Sequence, residues 1–277
     1  MELRGAVAVV TGAGSGLGRA LVELLAGAGA LPLVLDLRPE RVERTVAELR
    51  GAGHEAAGWA CDVGDRSAVA DVFRAIGDRY GRVDLLVNNA GRSALVPFLD
   101  MSDEEIDWVT GPNLSGVAHC IRAAAPLMRR GSRIVNVTSV SGRVPTPGEA
   151  YYSALKAAVV SLSESLEAEL RTRGIGVTVV LPGEMSTALF REHPSWELRP
   201  DWQRRMEVPP ERVAAAIVRA VRRDRFEVVY PRSMRLTLLA QRIAPNLFRR
   251  GVARYYRSIE RRIARGGEGS PRPARGV

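Results

Sequence analysis

The chain has 277 residues, 46% of them hydrophobic, enough for one large domain with a full core. Its formal charge of +9 sits at one end: residues 232–277 hold 12 arginines and 2 glutamates, while the preceding 231 residues carry 28 basic and 29 acidic groups. A near-neutral body argues against nucleic-acid binding, and two distant cysteines, Cys61 and Cys120, with only three histidines argue against a disulfide framework or a zinc site.

The N-terminal "MELRGAVAVVTG" lacks a signal-peptide pattern and runs at once into a strand over 7–11. A helix is expected over 16–29, with Leu17, Leu21, Leu24 and Leu25 on one face, then a strand over 31–36. The apolar run from Leu24 to Leu35 is interrupted by Gly27, Gly29 and Pro32 and is too short to span a bilayer. A helix over 39–50, a strand ending at "WACDV", a helix over 66–79 and the strand "VDLLVNNAG" follow. The capping box Ser102-x-x-Glu105 starts a helix near 103–109. Next come a helix over 113–129, a strand over 133–139, a long helix over 150–171, a strand over 176–182, a helix around 210–222 and a strand over 226–231. Short Val/Ile/Leu strands alternating with amphipathic helices predict a doubly wound α/β domain, its parallel sheet covered on both faces. Such folds bind ligands outside the carboxyl ends of the strands.

The first strand ends in "TGAGSGLG", where Gly12, Gly16 and Gly18 let the backbone turn sharply, approach a pyrophosphate and open a helix toward it. Arg19 after Gly18 excludes a P-loop, and Ala13 and Leu17 around Ser15 exclude a nucleophile elbow. Asp36 ends the second strand, where a carboxylate accepts the adenosine ribose hydroxyls and repels a 2′-phosphate, favouring NAD over NADP. Arg38, two residues later, is the opposing signal.

Of 40 basic residues, 39 are arginine and one, Lys156, is lysine. Tyr152 lies four residues earlier, so the two share a helix face, whereas the i+4 partner of Tyr151 is Leu155. At an effective dielectric of about 20, an ammonium about 5 Å away favours phenolate by about 3 kcal/mol, which brings a phenol toward use as an acid or base near neutrality. Tyr-x-x-x-Lys is a common pattern, and the pair gains meaning only from the rest of the chain.

The ordered set "TGAGSGLG", "CDV", "NNAG" (88–91), Asn113, Ser139 in "NVTSVSG", "YSALK" (152–156) and "PGEMST" (182–187) resembles the short-chain dehydrogenase/reductase family over about residues 5–231. The resemblance implies a Rossmann fold and an NAD(P)-dependent oxidoreductase interconverting an alcohol and its carbonyl. By it, Tyr152 would be the general acid/base, Lys156 would lower its pKa and bind the nicotinamide ribose, Ser139 would hydrogen-bond the reacting oxygen, and Asn113 would hold a water for proton relay. Gly12, Ser15, Gly16, Leu17 and Gly18 would form the phosphate loop; Asp62 and Val63 would border the adenine. Asn89, Ala90 and Gly91 would lie beside the ribose, and Pro182, Gly183 and Thr187 around the nicotinamide. Two departures stand out: Gly111-Pro112 precede Asn113 where a hydrophobic residue is usual, which could shift it, and Glu184 sits in the substrate mouth. A dinucleotide-binding scaffold without turnover is the alternative reading.

Residues 184–208 occupy the family's lid position and carry Met185, Leu189, Phe190, Trp196, Trp202 and Met206; these either pack under a structural loop or form a lid over a lipophilic substrate such as a steroid, retinoid-like alcohol or fatty aldehyde. From Leu239 onward, apolar residues recur at helical spacing between arginines, with Pro245 near the start. This extension (232–265) is expected to dock on the body or a second subunit, or to lie on an anionic membrane surface; residues 266–277 are expected to be disordered. The resemblance implies a homo-dimer or homo-tetramer, and a cytoplasmic location is expected.

Overall fold

The structure is a computed structural model describing residues 1–144, 146–185 and 207–266, with side chains described through residue 257. Seven parallel strands form one sheet in the order β3-β2-β1-β4-β5-β6-β7: β1 (Val7–Thr11), β2 (Leu31–Asp36), β3 (Ala57–Ala60), β4 (Leu85–Asn88), β5 (Arg133–Val137), β6 (Gly176–Pro182) and β7 (Glu227–Tyr230). Alternate strand residues feed two cores. Ala8, Val10, Val34, Leu85 and Val87 join Leu17, Leu21 and Leu25 of α1 (Gly16–Gly27) and Val213 and Ile217 of α7 (Pro210–Arg222). Val7, Val9, Leu33, Leu35 and Leu86 join Val69, Phe73 and Ile76 of α3 (Arg66–Tyr80) and Val117 and Ile121 of α5 (Gly116–Ala124) on the other face. This two-sided burial explains the continuous apolar strands. Leu24 departs from the expected α1 face: it is 39% exposed, at the rim of the buried stripe.

The remaining helices are α2 (Pro39–Gly51), α4 (Asp103–Thr110), α6 (Ala150–Arg171), α8 (Met234–Ile243) and α9 (Pro245–Gly266). The Ser102–Glu105 capping box opens α4: the Ser102 hydroxyl accepts from the Glu105 amide at 3.2 Å, and the Glu105 carboxylate accepts from the Ser102 amide at 2.9 Å. The helix expected over 113–129 is interrupted. A π-helical turn spans Gly111–Ser115, because Pro112 cannot continue the α-helical ladder, and a 3₁₀ turn at Ala125–Leu127 contains Pro126. The extension likewise divides into α8 and α9 at Ala244, with Pro245 opening the second helix.

A buried polar chain ties α6 to the sheet. The Asn88 side-chain amide donates to Asn136 Oδ1 at 2.8 Å, the Asn136 amide to Ser163 Oγ at 2.9 Å, and the Ser163 hydroxyl to the Val159 carbonyl at 2.6 Å. Hydrogen bonds in such surroundings are costly to break, so this chain sets how α6 lies across β4 and β5.

Candidate active site

A cleft of about 430 Å³ opens at the carboxyl ends of the strands, at the switch point where β1 and β4 diverge toward opposite edges. Its floor is the loop after β1. Gly12 (φ +63°) and Gly16 (φ +50°) are left-handed, which glycine adopts without strain. A Cβ at Gly12 would meet Ala90 Cα at 3.0 Å, and one at Gly18 would run into the Gly12 carbonyl, so Gly18 lies behind the loop while Gly12, Ser15, Gly16 and Leu17 line the cleft.

Thr11 pins the two walls together. Its hydroxyl oxygen accepts from the Asn89 and Ala90 amides, both at 3.0 Å. The Asn89 side chain donates back to the Thr11 carbonyl at 2.9 Å and the Gly12 carbonyl at 3.3 Å. Asn89 therefore holds the shape of the glycine-rich loop as well as lining the cleft, a role that its place in "NNAG" did not reveal.

Asp36 is buried at the end of β2 with Arg38 and Arg41 beside it along the cleft. One carboxylate oxygen accepts from the Gly14 amide at 2.9 Å and the other from the Arg38 amide at 3.1 Å. These bonds orient the carboxylate and leave further lone pairs for ribose hydroxyls. Asp62 and Val63 border the same end, and Pro182 and Gly183 the other. Thr187 and most of the expected lid fall outside the described residues; at the lid's base, Met185 and Val208 bridge in parallel and the Val208 amide donates to the Glu184 carbonyl at 2.9 Å.

Ser139, Tyr152 and Lys156 line the middle of the cleft. Ser139 follows β5 and caps the turn Val140–Gly142, its hydroxyl oxygen accepting from the Ser141 amide at 3.1 Å. Gly142 presses that turn onto α6, since a Cβ there would lie 2.8 Å from the Lys156 carbonyl carbon. Tyr152 and Tyr151 point apart: Tyr151 hydrogen-bonds Thr110 at 2.9 Å and stacks on Phe98, whereas Tyr152 has the Lys156 ammonium 5.5 Å from its ring centroid. Lys156 Nζ donates to the Val137 carbonyl at 3.1 Å, and burial pulls its pKa from 10.5 down to about 8. The ammonium remains mostly charged at neutral pH, though closer to titration than its position in the sequence suggested.

Asn113 lies behind Gly91 rather than on the cleft surface. It is fully buried in the π-helical turn, and its amide donates to the Arg92 and Val109 carbonyls at 2.6 and 2.8 Å. The Gly111-Pro112 departure has not carried it away: a Cβ at Gly91 would come within 2.8 Å of Asn113 Oδ1 and 3.7 Å of Lys156 Nζ. Asn113 Oδ1 is buried with no hydrogen-bond partner among the described residues. Arg92 and Trp108, not foreseen from the sequence, also line the cleft, with the guanidinium 5.1 Å from the indole centroid. Arg92 directly follows "NNAG", which could have flagged it; Trp108 reaches the cleft only through the placement of α4.

The two free cysteines are buried in the core, and burial raises both thiols, Cys61 to about 11. Both thiols stay protonated near neutral pH, Cys120 within the core and Cys61 where the core meets the cleft wall. Among the described residues no cluster of His, Cys, Asp or Glu could hold a metal ion, and no helix is long and apolar enough to cross a membrane.

Glycines where a side chain would fill the cradle, a carboxylate at the ribose position and an orphaned amide oxygen beside the lysine all fit a nicotinamide dinucleotide. A family model described as short chain dehydrogenase matches residues 6–198. Oxidoreductase UcpA of Escherichia coli is 39% identical over 191 residues, 68% of this chain and 72% of the relative. A 3-oxoacyl-acyl-carrier-protein reductase, FabG, of Thermotoga maritima is 35% identical over 196 residues, 70% of this chain and 80% of the relative. Among solved structures, a short chain dehydrogenase/reductase from Burkholderia phymatum in complex with NAD superposes with a TM-score of 0.81 at 31% identity, covering 89% of this chain and 96% of that one. A short chain dehydrogenase from Burkholderia cenocepacia in complex with NADP gives 0.75 at 29% identity, covering 83% and 97%. Motif order, strand order and the convergence of Ser139, Tyr152 and Lys156 thus agree with these likenesses: the chain belongs to the short-chain dehydrogenase/reductase family and is an NAD(P)-dependent oxidoreductase.

Proposed function

We propose that the protein interconverts a lipophilic alcohol and its carbonyl, with NAD(H) as the preferred carrier. The observation that carries this reading is the meeting of Ser139, Tyr152 and Lys156 in one cleft, with the lysine charge held against the tyrosine ring. Tyr152 protonates the substrate oxygen in reduction and takes the hydroxyl proton in oxidation. Lys156 favours the phenolate form electrostatically, and Ser139 Oγ donates to the same oxygen. Asn113, behind Gly91, holds a water that relays the proton outward from Lys156. When bound, the nicotinamide supplies or accepts the hydride.

Asp36 supports NAD because a 2′-phosphate would face a buried carboxylate, although Arg38 and Arg41 stand close enough in the cleft wall to oppose it. Trp108, Pro112 and Met185 add apolar surface to the cleft and support a lipophilic substrate of the steroid, retinoid-like or fatty alcohol and aldehyde class. Assembly as a homo-dimer or homo-tetramer through the helices carrying Asn113 and Tyr152 belongs to the same reading.

The test is the nicotinamide absorbance change with purified protein, a panel of lipophilic alcohols and carbonyls that includes a 3-oxoacyl thioester, and NAD(H) and NADP(H) in parallel. Turnover with NAD(H) on lipophilic members supports the proposal. Turnover only with NADP(H), or only on the thioester, overturns the corresponding part, and tight NADH binding with silence across the panel favours a scaffold.

A further inference from the structure

The two C-terminal helices expose a surface that the catalytic reading does not use. α8 lays Met234 and Leu238 on a small core formed by Val140, Val160, Leu181 and Val229, so its inner face is accounted for. Its outer face is not. Leu236, Leu239 and Ile243, spaced as one helical stripe, are 71, 51 and 72% exposed, and Leu247 in the first turn of α9 is 70% exposed. Half of the exposed large hydrophobic residues among those described lie in these twelve positions. Single exposed leucines need no explanation, but a contiguous stripe marks an interaction surface.

The surrounding charge narrows the partner. From Arg232 to Arg257 the chain has seven arginines and no acidic residue, and all seven are exposed. A second copy of this chain docking by the same face would bring arginines against arginines, which opposes association. Polyanion binding by the arginines alone leaves the bare leucines unexplained. Both features suit the surface of an anionic bilayer, where apolar side chains enter the acyl boundary and arginines reach back to the phosphates. Leu239 borders the groove between α8 and α9, while Leu236, Ile243 and Leu247 protrude outside it, as insertion into a bilayer requires.

We propose that α8 and the start of α9 form an interfacial anchor for anionic lipid membranes. The anchor adjoins the catalytic cleft: Met234 Cε lies 3.8 Å from where a Cβ would stand on Gly183, a cleft-lining residue. A bilayer on this face would bring lipid-soluble molecules to the cleft side of the protein. The anchor itself does not depend on the proposed substrate, because lipid binding and turnover are read separately.

The test is co-sedimentation of the full-length protein with vesicles of phosphatidylglycerol mixed equally with phosphatidylcholine, against vesicles of phosphatidylcholine alone. Binding at least about tenfold stronger to the anionic vesicles, falling as salt is raised, is expected. The triple variant Leu236→Ser, Ile243→Ser, Leu247→Ser should lose about tenfold in binding while keeping its melting temperature and its NADH binding. The variant Arg242→Gln, Arg249→Gln, Arg250→Gln should weaken binding severalfold by another route. Wild-type protein that remains in the supernatant at low salt overturns the proposal. So does a serine variant that binds as well as wild type, and so does loss of self-association in that variant, by sedimentation velocity, without any vesicle binding by the parent. Capture of an acidic protein at this face in place of vesicles likewise overturns it.

Discussion

The Lys156 ammonium lies 5.5 Å from the centroid of the Tyr152 ring and donates to the Val137 carbonyl at 3.1 Å, so one turn of α6 and the end of β5 converge on a single cation. The position suits lysine better than arginine for a physical reason. It is fully buried, and a guanidinium is larger, always charged and in need of several acceptors. Tyr152→Phe removes the oxygen proposed to carry the proton and keeps the ring. It should lower kcat by about 10²- to 10⁴-fold while NADH affinity, read by fluorescence titration, changes only a few-fold. Full activity in this variant would refute the assigned role.

Burial of Lys156 also has a stability consequence with a definite sign. The group titrates at about 8 in the fold and near 10.5 when unfolded, so between these values the unfolded chain holds more protons and stability rises with pH. At pH 7 the buried charge costs about 3 kcal/mol. Lys156→Met removes that cost but leaves the Val137 carbonyl without its donor, worth about 1 kcal/mol. The variant should therefore be inactive yet more stable than wild type by about 2 kcal/mol at pH 7, and the advantage should vanish by about pH 10. Urea denaturation at the two pH values measures both.

Asp36 serves two masters, the loop amide of Gly14 and the proposed ribose hydroxyls. Asp36→Asn removes the charge that repels a 2′-phosphate and leaves Arg38 and Arg41 in place. The ratio of kcat/KM for NAD over NADP should fall at least about tenfold, checked by parallel assays with the two cofactors. An unchanged ratio would locate cofactor choice elsewhere.

Gly142 has no room for a side chain. A Cβ would sit 2.8 Å from the Lys156 carbonyl carbon and 2.9 Å from its oxygen, both on the backbone of α6. Gly142→Ala should push away the turn that carries Ser139 and lower kcat about tenfold or more, because small displacements of a positioning group are costly to catalysis. A Ser139→Ala background should show little additional loss, which separates misplacement of Ser139 from general damage.

Asn136 is the middle link of the buried chain from Asn88 to Ser163. Asn136→Ala leaves the Asn88 amide without its acceptor and the Ser163 oxygen without its donor. A loss of about 2–3 kcal/mol in unfolding free energy is expected, read from the shift in urea midpoint.

Much of this protein could be read from local pattern. Strands buried on both faces must be continuously apolar, and helices lying on them must carry one apolar stripe, so the alternation of elements and the doubly wound class follow from periodicity. Gly12 and Gly16 were legible because positive φ restricts the residue type, and the Ser102–Glu105 cap because it is a local exchange of hydrogen bonds. The Tyr152–Lys156 pair was legible because helical spacing alone brings the two side chains onto one face.

The rest depended on contacts between residues far apart in the chain. Periodicity ran one helix over 113–129 and one across Pro245, where the backbone in fact forms a 3₁₀ turn at Pro126 and a break. The second role of Asn89, the seat of Asn113 behind Gly91, the approach of Arg92 to Trp108 and the shifted pKa of Lys156 arise where separate elements pack together. Sequence by itself determined which backbone conformations and helix faces were available, because those are set within a few residues. Tertiary structure alone decided which polar groups lost water and what they met instead, because desolvation and hydrogen bonding depend on neighbours brought in from the whole chain.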